Sequence, residues 1–107
     1  MARVLAVAPD LMFASRIEAT LGAARHEVEL ASSVAEATGL VEVDLIVVDL
    51  DREPADRVVG LGVPVLGFYA HLNTETREEA EAAGVDLVVP RSRMAREMPA
   101  LVERLVT

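Results

Sequence analysis

Five short apolar runs, separated by segments of helical periodicity and joined without any Pro/Ser/Gly-rich linker, constrain this chain more than any other feature. Runs rich in β-branched residues and too short for helices read as strands buried on both faces. The clearest is Leu45-Ile46-Val47-Val48, which delivers a carboxylate, Asp49, at its C-terminal tip. Val4-Leu5-Ala6-Val7-Ala8 comes before it and is broken by Pro9-Asp10. Val63-Pro64-Val65-Leu66-Gly67-Phe68 comes after it, with Pro64 near the start, where a missing N–H is tolerated. Val85 to Val89 makes the last run. Between the first two, Val28 and Leu30 alternate with Glu27 and Glu29, the pattern of an edge strand with one solvated side.

The intervening segments read as helices of unequal length. Phe13, Ile17 and Leu21 recur every fourth residue with Ala14 and Ala24 beside them, which turns one apolar stripe toward a sheet. Asp10 is placed to cap that helix. Ser33-Val34-Ala35-Glu36 has the form of a capping box and predicts a short helix to about Leu40. Glu53 to Val59 leaves room for only about two turns before Gly60 and Gly62 interrupt, so the third helix is stunted. Asn73-Thr74 caps a helix with Glu75, Glu78 and Glu79 in its first turns, and Gly84 ends it in a left-handed turn. The last helix buries Leu101, Val102, Leu105 and Met98; Pro99 belongs in its first turn, so regular helix is expected from about Ala95.

Strands alternating with helices predict an α/β fold: a flavodoxin-like, doubly wound, five-stranded parallel sheet in the order 2-1-3-4-5, with helices on both faces. The 107 residues suit one domain spanning 1–107. No run of eighteen apolar residues and no signal peptide is evident, so a cytoplasmic protein with no membrane segment is expected. Absence of Cys excludes disulfides, thiolate catalysis and cysteine-ligated zinc, and His26 and His71 are too few for a metal cluster. Both histidines read as surface residues. A formal charge of −8 repels nucleic acid, and because all ten basic residues are Arg there is no lysine for a Schiff base or a P-loop.

In such a sheet the crevice beyond the strand tips is where ligands sit. The tips carry Pro9-Asp10, Asp49, Tyr69 and Pro90-Arg91. Together with Val63-Pro64-Val65-Leu66 leading into Tyr69-Ala70-His71, and Ala83-Gly84-Val85-Asp86 entering the last strand, this order resembles the receiver domain of two-component response regulators over nearly the whole chain. The resemblance implies an acidic pair after the first strand, a phosphoacceptor Asp after the third, a Thr or Ser after the fourth and a Lys after the fifth. Asp49 matches the acceptor. Ala8-Pro9 or Pro9-Asp10 stands at the acidic pair, Tyr69 at the hydroxyl and Arg91 at the lysine, followed by Ser92 where the family has Pro.

These departures weaken the chemistry the family performs. Mg²⁺ demands near-octahedral oxygen coordination, and only Asp10 and Asp49 remain to offer carboxylates. Asp10 also reads simply as a helix cap, and Asp49 as a turn cap or as the partner of Arg91 in an ion pair that locks the site. Phosphoryl transfer rests on positioning and charge neutralisation, so losing several such parts depresses it. The chain therefore reads as an atypical or pseudo-receiver, not an enzyme and without a cofactor. Its partner is expected to be a protein: a histidine kinase, a transcription regulator, or a second copy in a homodimer. Arg93, Met94, Arg96 and Met98 of the last helix are expected on that contact surface. Two alternatives stand beside this reading, a working phosphoacceptor at Asp49 with Mg²⁺ and a small-ligand binder at the strand-tip crevice.

Overall fold

The computed structural model describes residues 2–36, 42–70 and 74–106. Strands β1 (Arg3–Val7), β2 (Glu27–Ala31), β3 (Leu45–Asp49), β4 (Val65–Tyr69) and β5 (Leu87–Pro90) form one sheet in the order β2-β1-β3-β4-β5. Every neighbouring pair is parallel. Helices α1 (Leu11–Ala23) and α2 (Thr74–Ala83) connect β1 to β2 and β4 to β5, single 3₁₀ turns lie at Val34–Glu36 and Ala55–Arg57 in the other connections, and α3 (Arg91–Val106) follows β5. This is the doubly wound fold read from the alternation of runs, including its stunted third helix, which is reduced to the turn at Ala55–Arg57.

Strand alternation splits the core in two. Val4, Ala6, Leu45, Val47, Leu66, Phe68 and Val89 pack against Phe13, Ile17 and Leu21 of α1 and Met94, Met98, Leu101 and Val102 of α3. Leu5, Val7, Ile46, Val48, Val65, Tyr69 and Val88 face the other way, toward Val58, just past the Ala55–Arg57 turn, and Ala80 of α2. With the connection between β3 and β4 reduced to the single turn Ala55–Arg57 on that second face, Leu50 folds back over the sheet. It fits because Gly67 has no side chain: a Cβ there would meet Leu50 Cδ1 at 2.6 Å.

Asp10 caps α1 as expected, its Oδ1 accepting from the N–H groups of Met12 and Phe13 at 3.0 and 3.3 Å. The other end of α1 departs from expectation. Ala24 is exposed, and Arg25 takes the left-handed conformation (φ 70°) that closes a C-terminal turn. The Arg25 N–H donates to the Gly22 carbonyl and the His26 N–H to the Leu21 carbonyl, the paired bonds of a Schellman motif. That turn carries His26 inward. It is 6% exposed rather than a surface residue, with Nδ1 accepting from the Ala2 N–H at 3.0 Å and Nε2 facing a Glu103 carboxylate oxygen at 3.3 Å outside hydrogen-bond geometry.

Three further expectations are corrected. On edge strand β2, Val28 is half-buried but Leu30 is exposed, so the alternation marks the strand without burying its second apolar residue. The capping box is shifted: Glu36 accepts from the Ser32 N–H and hydroxyl rather than from Ser33. Helix α3 begins at once, at Arg91, and breaks at Glu97 (φ −119°, ψ 16°), two residues before Pro99, which cannot donate to the Ala95 carbonyl. Pro99 thus opens the second segment, where its missing N–H costs nothing. Because α3 starts early, Met94 joins Met98 in the core at 0% exposure: the burial expected of Met98 is found, and neither methionine belongs to the contact surface. The stretch to Leu40, His71 and the Asn73 cap lie outside the described residues.

Candidate functional site at the strand tips

β1, β3, β4 and β5 end together, and each delivers its last residues to one crevice. From β1 the chain emerges through buried Ala8 and half-buried Pro9 into Asp10. Neither Ala8 nor Pro9 has an oxygen-bearing side chain, so the acidic pair is reduced to Asp10. Asp10 is already committed. While Oδ1 caps α1, Oδ2 accepts from Arg91 Nη2 at 2.6 Å, a short charge-assisted contact between side chains 43% and 32% exposed. The Arg91 hydrogen bond, followed by the Phe13 N–H, holds the Asp10 carboxyl below its ordinary range.

Arg91 is fixed on a second side by an aromatic ring. Its guanidinium carbon lies 4.2 Å from the Phe13 ring centroid, and Phe13 in turn packs on Phe68, centroid to centroid 5.0 Å at 53°. A planar cation stacks on such a face, which a lysine ammonium does less well. Phe68 is the register partner of Asp49, so this stack lies beside the acceptor position. Arg91 nevertheless turns to Asp10. Among the described residues no hydrogen bond or ion pair links it to Asp49, which corrects the expected Asp49–Arg91 lock; the capped Asp10 is held at the N-terminus of the helix that presents Phe13, and offers the nearer fixed oxygen.

Asp49 is 6% exposed. By alternation it follows Leu45 and Val47 onto the α1/α3 side. Its Oδ1 accepts from the Asp51 N–H at 3.0 Å, and its carbonyl accepts from the Arg52 and Glu53 N–H groups. Burial pushes the Asp49 carboxyl above its ordinary range, and the neighbouring Asp51 charge adds to this; the Asp51 N–H, Arg91 and Arg52 pull the other way. Tyr69, at the hydroxyl position, packs in the opposite core layer with Leu5, Val7 and Val88. The crevice therefore brings Asp10 and Arg91 together, keeps Asp49 beside them, and leaves Tyr69 on the far face.

Two carboxylates of the loop after β3 escaped the sequence reading. Asp51 Oδ2 accepts from the Ala70 N–H at 2.6 Å, tying that loop to the tip of β4. Glu53, 4% exposed, accepts from the Val34 N–H at 2.8 Å and meets Arg57 Nη1 at 3.3 Å. The available signal was the alternation Asp49-x-Asp51-x-Glu53, which puts an acid at every second residue just past a strand tip.

The donor set does not fit Mg²⁺. With Asp10 spent on the α1 cap and Arg91, and Ala8-Pro9 at the acidic pair, the octahedral oxygen shell is not assembled. Among the described residues no group of three or more His, Cys, Asp or Glu is placed to hold a metal ion, and no helix is long and apolar enough to cross a membrane. Two surface hollows open elsewhere, one beside Arg3, Glu27 and Glu42 and one between the Pro54–Asp56 turn and Thr76 and Glu79.

No family model matches the chain. No curated protein matches it either. Solved structures do. NtrX from Brucella abortus, in complex with ADP, superposes with a TM-score of 0.84 at 19% identity over 98% of this chain; the chain spans 27% of the length of that protein. The non-phosphorylated HemR receiver domain from Leptospira biflexa gives a TM-score of 0.83 at 24% identity, covering 100% of this chain and 95% of that one. HP1043, an orphan response regulator of H. pylori, gives 0.82 at 19% identity, covering 99% and 97%. The chain has the flavodoxin-like fold of response-regulator receiver domains.

Proposed function

We propose that this chain is a receiver-like signalling module that works by binding another protein and does so without phosphorylation. The observation that carries this reading is the 2.6 Å pairing of Arg91 with Asp10. It takes the cation from the lysine position and the one carboxylate left from the acidic pair, and spends each on the other. Charge neutralisation of a transferring phosphoryl group depends on such groups being free. Asp49 is left buried, with Asp51 adding negative charge beside it. An arriving phosphate dianion meets the Asp51 charge there, while the cation best placed to offset it is paired with Asp10.

What remains is a shape, held by a two-layer core and presented through surface helices. A histidine kinase, a transcription regulator or a second copy are the partner classes that the receiver-like fold suggests. The outer, Met-free face of α3, with exposed Arg96 and Arg104 and half-buried Arg93, replaces the Met-rich surface read from the sequence. Affinity capture with wild-type and Asp49→Asn baits tests the reading. The same partners, retained at equal strength by both, support it; partners lost from Asp49→Asn contradict it.

A further inference from the structure

The loop after β3 makes one contact that neither the fold nor the capping of Asp49 requires. The Ala70 N–H lies just beyond the end of β4, in the crevice, past the last residue paired with β5. An N–H at such a place has no strand to donate to and is available to an anion. It donates instead to Asp51 Oδ2 at 2.6 Å, at the short end for a charge-assisted bond. The same residue's backbone N–H donates to Asp49 Oδ1 at 3.0 Å. Asp51 therefore bridges the acceptor position on β3 and the tip of β4, one contact from its backbone and one from its side chain. The charged groups acting on Asp49 are Asp51 itself, Arg91 and Arg52, and Arg91 is engaged by Asp10.

We propose that Asp51 is a resident anion: seated on the Ala70 N–H, its carboxylate takes the place in the crevice that an incoming phosphoryl group needs, and permanently holds the loop after β3 to the tip of β4. The inference rests on the phosphorylation-independent reading above and supplies its regulation. The crevice is set in one arrangement.

Amide-resolved NMR of the intact chain tests this with two variants, Asp51→Ala and Asp51→Asn. In the wild type the Ala70 amide proton lies downfield. In Asp51→Ala it lies upfield, while Asp51→Asn, which keeps a neutral acceptor, falls between. Hydrogen exchange at Ala70 and at Arg52 and Glu53 accelerates on the order of fivefold in Asp51→Ala, as expected for losing one exposed charge-assisted bond. An Ala70 amide that ignores both substitutions overturns the proposal. So does a shift at Ala70 with unchanged exchange at Arg52 and Glu53, since the contact then holds nothing. Phosphoryl uptake by the wild type, read separately by mass, counts against the proposed function; these amide readouts count against the resident anion itself.

Discussion

Replacing Gly67 by alanine puts a methyl group where Leu50 already is. The new Cβ would lie 2.6 Å from Leu50 Cδ1, 3.0 Å from Cγ and 3.3 Å from Cδ2, the first of these closer than carbon atoms approach. Gly67 has an ordinary strand conformation, so only space is at issue. Either Leu50 leaves the sheet or β4 shifts. Expelling a side chain now 9% exposed forfeits about 1.5–3 kcal/mol of burial, and squeezing it in place costs a similar ~1–3 kcal/mol. Against this, alanine gains roughly 0.5–1 kcal/mol over glycine in a strand. The net expectation is a loss of about 1–2 kcal/mol, which for a domain of this size lowers Tm by roughly 5–15 °C. Thermal unfolding followed by circular dichroism measures it, and a double-mutant cycle with Leu50→Ala isolates the cause. In the Leu50→Ala background, Gly67→Ala should cost nothing or gain, because the methyl fills the vacated space. Equal cost in both backgrounds refutes the idea that Leu50 stands in for the missing third helix.

Three other outcomes follow from particular residues. Arg25→Gly relieves an L-residue from the left-handed conformation at the end of α1 and should stabilise the chain by about 0.5–1 kcal/mol in urea unfolding, less than the full conformational penalty because glycine also loosens the unfolded chain. Met98→Ala, at 0% exposure, should cost about 2–5 kcal/mol, whereas a surface methionine would cost almost nothing; the same unfolding assay separates the two. The folded state raises the Asp49 carboxyl, so it binds that proton more tightly than the unfolded chain does, and ionisation of Asp49 opposes folding above the folded pKa. Asp49→Asn should therefore raise Tm at neutral pH, with the advantage shrinking as the pH falls through the folded pKa toward the ordinary carboxylate value of about 4; an advantage that persists unchanged in acid contradicts burial as its cause.

The fold was legible because its signals are local. Leu45 to Val48 and Val65 to Phe68 are apolar throughout, and only strands covered on both faces need that; the glycines at 60 and 62 left no length for a third helix. Asp10 announced itself as a cap by standing just ahead of the Phe13, Ile17, Leu21 stripe. What escaped depends on distance in space. Arg91 meets Asp10 across 81 residues of chain, and nothing in either segment favours that partner over Asp49. His26 was misplaced because a turn closed by Arg25, without the usual glycine, hides the motif that swings the next residue inward. Met94 escapes because Pro99 points to a late helix start, when the chain starts the helix at Arg91 and breaks it at Glu97; Met98 lies buried beside Leu101 and Val102, as its spacing from them implies. Asp51 and Glu53 were visible as alternating acids, but their partners Ala70 and Val34 are backbone groups that no side-chain pattern reveals.

Arg91 and Asp10 have spent each other, which leaves Asp49 bonded to neither among the described residues. Intact mass after incubation of the wild-type chain with acetyl phosphate and Mg²⁺ tests it most directly. An unchanged mass is expected, at concentrations of both that fully label a receiver domain with an intact acidic pair and lysine. Gain of one phosphoryl group by the wild type, abolished in Asp49→Asn, would contradict it.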